Sequence, residues 1–90
     1  MIVTLDELKA NLRIETDDDD DLLETYLESA EKSVKDVLRK RTIPEGQMAT
    51  AKVGVLYAAT YLYEHREKAD THELMLTLRA LLFGNRRPKF

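Results

Sequence analysis

Apolar residues recur along this chain at spacings of three and four, and the period-two alternation of a half-buried strand is missing. The pattern predicts four helices and no sheet. The first opens at Thr4-Leu5-Asp6-Glu7, where a threonine cap followed three residues later by glutamate satisfies two orphan backbone donors reciprocally. Leu5, Leu8 and Leu12 then line one face before the chain turns near Ile14. A helix this short is marginal alone and must dock on the rest.

Thr16 and the aspartates 17–21 supply the hydroxyl and carboxylate groups that favour a helix amino terminus, so the second helix is expected to start there. Its apolar positions Leu22, Leu23, Tyr26, Leu27, Ala30, Val34, Val37 and Leu38 hold the 3.6-residue period. The opposite, solvent-facing side carries Glu28 with Lys32, Glu31 with Lys35 and Asp36 with Lys40 at the favourable four-residue spacing. Lys40 and Arg41 close the last turn beside the negative end of the helix dipole, and Pro44 with Gly46 marks a connection.

The third helix is expected from about Glu45 to Arg66. Within it, Val53 to Tyr63 is apolar on nearly every side, which predicts a central helix buried on most faces. Gly54, Ala58 and Ala59 allow close approach of its neighbours. A fourth helix near Thr71 to Phe83 presents Leu74, Leu78, Leu81 and Leu82 as one stripe, with Gly84 placed for a left-handed carboxyl cap. The tail 85–90 is basic, cannot form a stable element by itself, and is expected to be flexible until bound. The expected fold is all-α: one four-helix bundle-like domain over residues 1–90, with helices 1 and 4 short and helices 2 and 3 long.

Ninety residues bury about 60–65% of the extended chain's surface, enough for one modest core. The absence of cysteine removes disulfides, thiolate chemistry and cysteine-based zinc sites, and fits a reducing compartment. The start Met1-Ile2-Val3-Thr4-Leu5 lacks the basic segment and apolar run of a signal peptide, so secretion is not expected. The longest uncharged stretch, Val53 to Tyr63, falls well short of the ~20 residues that span a bilayer. Charge is unevenly distributed: residues 1–31 carry eleven acidic and two basic side chains, residues 32–90 six and twelve. Such polarity can steer copies head to tail or select the face that meets a partner, although solvated helix ends would account for it equally.

Candidate chemistry is sparse. Asp17, Asp19, Asp21 and Glu28 match positions 1, 3, 5 and 12 of a calcium loop, but the sixth position, which needs glycine for a sharp turn, is Leu22. Helix capping explains the aspartates more simply. His65 and His72 stand without the further ligands a metal site needs, and surface histidine is the simpler reading. With no phosphate loop, nucleophile elbow or mutually tuned carboxylate pair, the chain is read as a non-enzyme with no cofactor, no metal and no catalytic residue. Lys35, Arg39, Lys40 and Arg41 could form a small basic patch, but the acidic first third would repel DNA.

The order of elements resembles the head-to-tail connector family of tailed bacteriophages, also called DNA-packaging adaptors or head completion proteins. The likeness is carried by V-T-L-D-E-L-K-A-N-L-R-I (3–14), D-D-D-D-D-L-L-E-T-Y-L-E-S-A (17–30), R-T-I-P-E (41–45) and A-K-V-G-V-L-Y-A-A-T-Y-L-Y-E-H-R-E (51–67). One departure is Thr71-His72, where the family often has a proline, and it leaves the start of the fourth helix open. The resemblance implies a structural adaptor of a phage or prophage virion, made in the bacterial host cytoplasm. It implies docking on the portal at the head-tail junction as an oligomeric ring of twelve, with tail-side completion proteins as further partners and only non-specific passage of DNA. Arg86, Arg87, Pro88 and Phe90 are the expected partner-contacting arm, since an aromatic beside arginines is a composition interfaces favour. The competing expectation is a small helical regulator, a transcription factor or antitoxin-like partner, which would bind DNA in a salt-dependent way.

Overall fold

A computed structural model describes residues 2–39, 45–68 and 70–83. Four α-helices follow one another: α1 (Leu5–Leu12), α2 (Asp20–Leu38), α3 (Met48–Glu64) and α4 (Thr71–Phe83), with a short 3-10 helix, Glu45–Gln47, leading into α3. Helix accounts for 79% of the described residues, and no strand occurs among them. The expected all-α architecture is therefore the observed one. Gly84 and the tail 85–90 lie outside the described residues.

The capping box at α1 forms as its residues dictate. Thr4 Oγ1 accepts the Glu7 N–H at 3.1 Å, while the Thr4 N–H donates to Glu7 Oε1 at 2.9 Å. α1 and α2 both end on arginine in the left-handed region, Arg13 at φ 60° and Arg39 at φ 59°. At each, the backbone N–H returns to a last-turn carbonyl, Ala10 for Arg13 and Asp36 for Arg39. A non-glycine residue costs about 1–2 kcal/mol in that conformation, so both helix ends are closed by hydrogen bonding against an unfavourable backbone.

α2 begins at Asp20, later than the aspartate run suggests, and Asp19 makes no side-chain cap hydrogen bond. The carboxylates are engaged elsewhere. Lys9 Nζ reaches from α1 to Asp17 Oδ1 at 3.1 Å and Asp20 Oδ1 at 2.7 Å, and the Tyr63 hydroxyl donates to Asp19 Oδ2 at 3.3 Å. These bonds hold residues 17–19 in a turn that binds α1 and α3. The Lys9 ammonium consequently keeps its proton above its usual range, chiefly through the Asp20 hydrogen bond and then that of Asp17.

The core gathers Leu8 of α1, Leu23, Leu27, Ala30 and Val34 of α2, Ala51, Val55, Ala58 and Ala59 of α3, and Leu74 and Leu78 of α4. Val3, ahead of α1, is also fully buried. It is held there because the preceding Ile2 N–H donates to Glu31 Oε1 at 3.0 Å. Glu31 is thereby drawn off the wet face of α2 that its spacing predicts; it also pairs with Lys35 at 3.0 Å. Lys32 pairs with Asp36 at 3.6 Å, so the expected Glu28 pairing is replaced. Leu22 and Leu81, both assigned to buried stripes by spacing, are exposed, each at the edge of its helix's core-facing arc.

α3 ends at Glu64, two residues before the expected Arg66, because the Arg66 guanidinium lies over the Tyr63 ring, 4.6 Å from its centroid, and donates to the Tyr63 carbonyl. α4 starts at Thr71, where spacing expects it. The Asp70 carboxylate accepts the Glu73 N–H at 3.0 Å as an amino-terminal cap.

A candidate assembly interface on the central helix

α3 packs on α1, α2 and α4, yet among the described residues its outward arc is only partly covered. Val53 is 53% exposed and Tyr57 39%, with Leu56 and Thr60 half-buried beside them. The expectation that α3 is buried on most faces therefore holds for the arc of Ala51, Gly54, Val55, Ala58, Ala59 and Tyr61 and fails for this one. Apolarity all round a helix states that every side wants cover; it cannot state which side the chain itself covers.

α1 forms one wall of the stripe. Asn11 Nδ2 donates to Thr60 Oγ1 at 3.1 Å, and Lys52 pairs with Glu7 across the two helices at 2.7 Å. That Lys52 hydrogen bond is the main reason the Glu7 carboxyl lies below the ordinary carboxylate range, with the Thr4 N–H adding to it. Asn11, Val53, Leu56, Tyr57 and Thr60 together enclose a shallow hollow of about 290 Å³. Its walls carry no charge, and Tyr57 is their one aromatic side chain.

The stripe's upper end is stiffened by aromatic stacking. Tyr57 lies 6.5 Å from Tyr61, and Tyr61 lies 4.2 Å from the His65 ring, centroid to centroid. The Tyr61 hydroxyl accepts the Asp70 N–H at 3.0 Å and lies 3.3 Å from the Asp70 carbonyl, tying α3 to the start of α4. His65 is thus a packing residue of this turn, its Nδ1 lying 3.0 Å from the Tyr61 carbonyl oxygen. His72 is exposed on the first turn of α4. Among the described residues no three histidine, cysteine, aspartate or glutamate side chains gather as a metal-binding group.

Charge divides the helical body along the length of α2. α2 and α3 run antiparallel, as the contacts of Tyr63 with Asp19 at one end and of Gly54 near Val34 further along require. The end holding residues 15–21 and the close of α3 is acidic on balance, with Glu15, Asp17–Asp21, Glu64 and Glu67 outnumbering Lys9, Arg66 and Lys68. At the other end α2 closes on Arg39, and the sequence continues into Lys40 and Arg41. Lys32 and Lys35 are each matched by a carboxylate, so α2 presents alternating charge and not a basic face.

Arg86, Arg87, Pro88 and Phe90, the partner-contacting arm expected from sequence, lie outside the described residues. The stripe of Val53 and Tyr57 was the residue set that spacing did not single out. Its signal was faint: Thr50 and Thr60, the two threonines of α3, bracket Val53 and Tyr57 on one arc. Among the described residues no helix is long and apolar enough to cross a membrane. No curated protein and no solved structure matches the chain. The family model of the phage gp6-like head-tail connector protein matches residues 2–78, from the segment ahead of α1 into α4, and the chain belongs to that family of phage structural proteins, which is not a class of enzymes.

Proposed function

We propose that this connector docks on the portal of a filled capsid as an oligomeric ring, completing the head and joining it to the tail around the exiting DNA. The observation that carries the reading is the uncharged stripe of α3, where Val53 and Tyr57 stay exposed beside half-buried Leu56 and Thr60 on the helix at the centre of the core, so that a partner laid on it would take apolar surface out of water. Family membership supplies the kind of partner, a portal or tail-side completion protein. The whole chain, 1–90, acts as one connector domain, made in the host cytoplasm and carried into the virion at the head-tail junction. A ring of twelve follows the family resemblance, and DNA passes through it without sequence-specific contact.

In this reading Arg86, Arg87, Pro88 and Phe90 form an arm that orders on its partner, giving basic and aromatic contacts beyond those of the helical body. Co-sedimentation with purified portal particles tests both parts. The full chain should pellet with the portal, and a chain lacking residues 85–90 should melt at the same temperature yet stay in the supernatant. A full chain that does not pellet refutes portal docking, and a truncated chain that pellets as well as the full one removes the arm from the mechanism.

A further inference from the structure

We infer that residues 84–90 of the same chain fold back over the outward stripe of α3 in the unassembled protein, with the Phe90 ring seated in the hollow beside Asn11. The topology brings this segment to the stripe. Lys52 pairs with Glu7 and Thr60 with Asn11, so α1 runs parallel to α3, while Leu82 beside Gly54 and Asp70 beside Tyr61 make α4 antiparallel to it. The stripe is therefore the floor of a groove between α1 and α4. Residues 84–90 leave α4 at the Gly54 level of that groove, next to Val53. The hollow lies within about one helix diameter of this point, roughly 10 Å, and seven residues reach up to about 24 Å. The two exposed leucines of α4 divide between the groove and the outside. Leu81 follows Glu73 at helical spacing on the face whose carboxylate lies 3.4 Å from the Tyr61 hydroxyl, so it lines the groove's second bank. Leu76 is opposite the buried face of Leu74, Leu78 and Leu82 and stays outside.

Size and charge select a tethered occupant. From Val53 to Thr60 the stripe spans about two turns, roughly 11 Å, and covers far less than the ~1,200 Å² at which separate proteins associate stably. A segment already joined to the groove's end meets it at about millimolar effective concentration and needs little area. Phe90 is the one large apolar side chain among residues 84–90, and the uncharged walls of the hollow of about 290 Å³ suit it. Arg86, Arg87 and Lys89 accompany it, and the groove's rim is acidic on balance, Glu7, Glu64 and Glu73 against Lys52. The contact is small and opens readily, so removing the tail leaves the melting midpoint in place. On docking, the segment leaves the stripe for the partner; that step rests on the proposed function, and the fold-back itself does not.

Nuclear magnetic resonance of the full chain, without portal, reads the contact directly. The Val53 and Leu56 methyl groups should show cross-peaks to the Phe90 ring, and their signals should be displaced by Phe90→Ser. The chain has no cysteine, so paired thiols give a second reading. Asn11→Cys with Lys89→Cys should close a disulfide within one chain at least about tenfold faster than Ser29→Cys with Lys89→Cys, whose first thiol is on the exposed far face of α2. Adding Phe90→Ser should slow the Asn11 closure by a similar factor, because a tether without its anchor passes the groove and does not stay. Methyl signals indifferent to Phe90→Ser, a closure rate unchanged by it, equal closure at Ser29, or disulfides formed chiefly between two copies would each overturn the inference. Portal co-sedimentation is scored separately, so failure of docking and failure of the fold-back are distinct results.

Discussion

Gly54 is where α2, α3 and α4 come closest, and its replacement gives a quantitative check of their packing. A Cβ there would meet Leu82 Cδ2 at 3.1 Å and Val34 Cγ2 at 3.3 Å, both tighter than ordinary contact. In a free helix, alanine in place of glycine gains about 0.8–1.0 kcal/mol. Here that gain is opposed by overpacking, which costs about 1–3 kcal/mol when the neighbours cannot yield. Leu82, on the last turn of α4, can shift by rotating its end; Val34 is branched at Cβ and fully buried, so it yields less. Gly54→Ala should therefore lie between neutral and about 1 kcal/mol less stable than wild type, without the propensity gain.

The sharper quantity is the coupling with Leu82. Leu82→Ala alone should cost about 2 kcal/mol, the low end for a leucine truncation at a site near the end of its helix. In the Gly54→Ala background the same truncation also relieves the 3.1 Å contact, so it should cost less by at least about 0.5 kcal/mol. Urea denaturation followed by far-ultraviolet circular dichroism measures all four corners of the cycle. Additivity, or stabilisation of about 1 kcal/mol by Gly54→Ala alone, would show open space at Gly54 and refute the close approach of α4.

Two further outcomes follow from single residues. Burial acts to raise the pKa of Glu31, but hydrogen bonds from the Ile2 N–H and Lys35 outweigh it and hold the carboxyl below its ordinary 4.5. Its contribution is therefore present above that value and lost as pH falls through the lowered one. Glu31→Gln should cost about 1 kcal/mol at neutral pH, and in acid denaturation the difference from wild type should vanish; a constant difference down to the acid limb would refute the assignment. Arg39→Gly, at φ 59°, should stabilise the fold by about 1 kcal/mol by removing the left-handed penalty, and an unchanged or lowered thermal midpoint would show that the arginine side chain contributes more than its backbone costs.

Helix number, order and approximate bounds were legible in the sequence because local signals and hydrophobic period agree. The Thr4 and Glu7 capping box, the Leu23, Leu27, Ala30 and Val34 face, and the Leu74 and Leu78 stripe all appear where spacing puts them. The misreadings share one cause, long-range contacts that local rules do not contain. Lys9 and Tyr63 claim carboxylates of the aspartate run and delay α2. The Ile2 N–H claims Glu31, and Arg66 closes α3 early. The exposed stripe belongs to the same class, since Val53 and Tyr57 differ from Val55 and Ala58 only in lacking a neighbour in the folded chain.

Electron microscopy of portal-bearing capsids, imaged with and without the purified chain, tests the connector mechanism most directly. A ring of added density beneath the portal is expected for the wild-type chain and none for Val53→Glu, whose folded monomer carries a charge on the contact stripe. Portals left bare by the wild-type chain, or decorated equally by Val53→Glu, would contradict it.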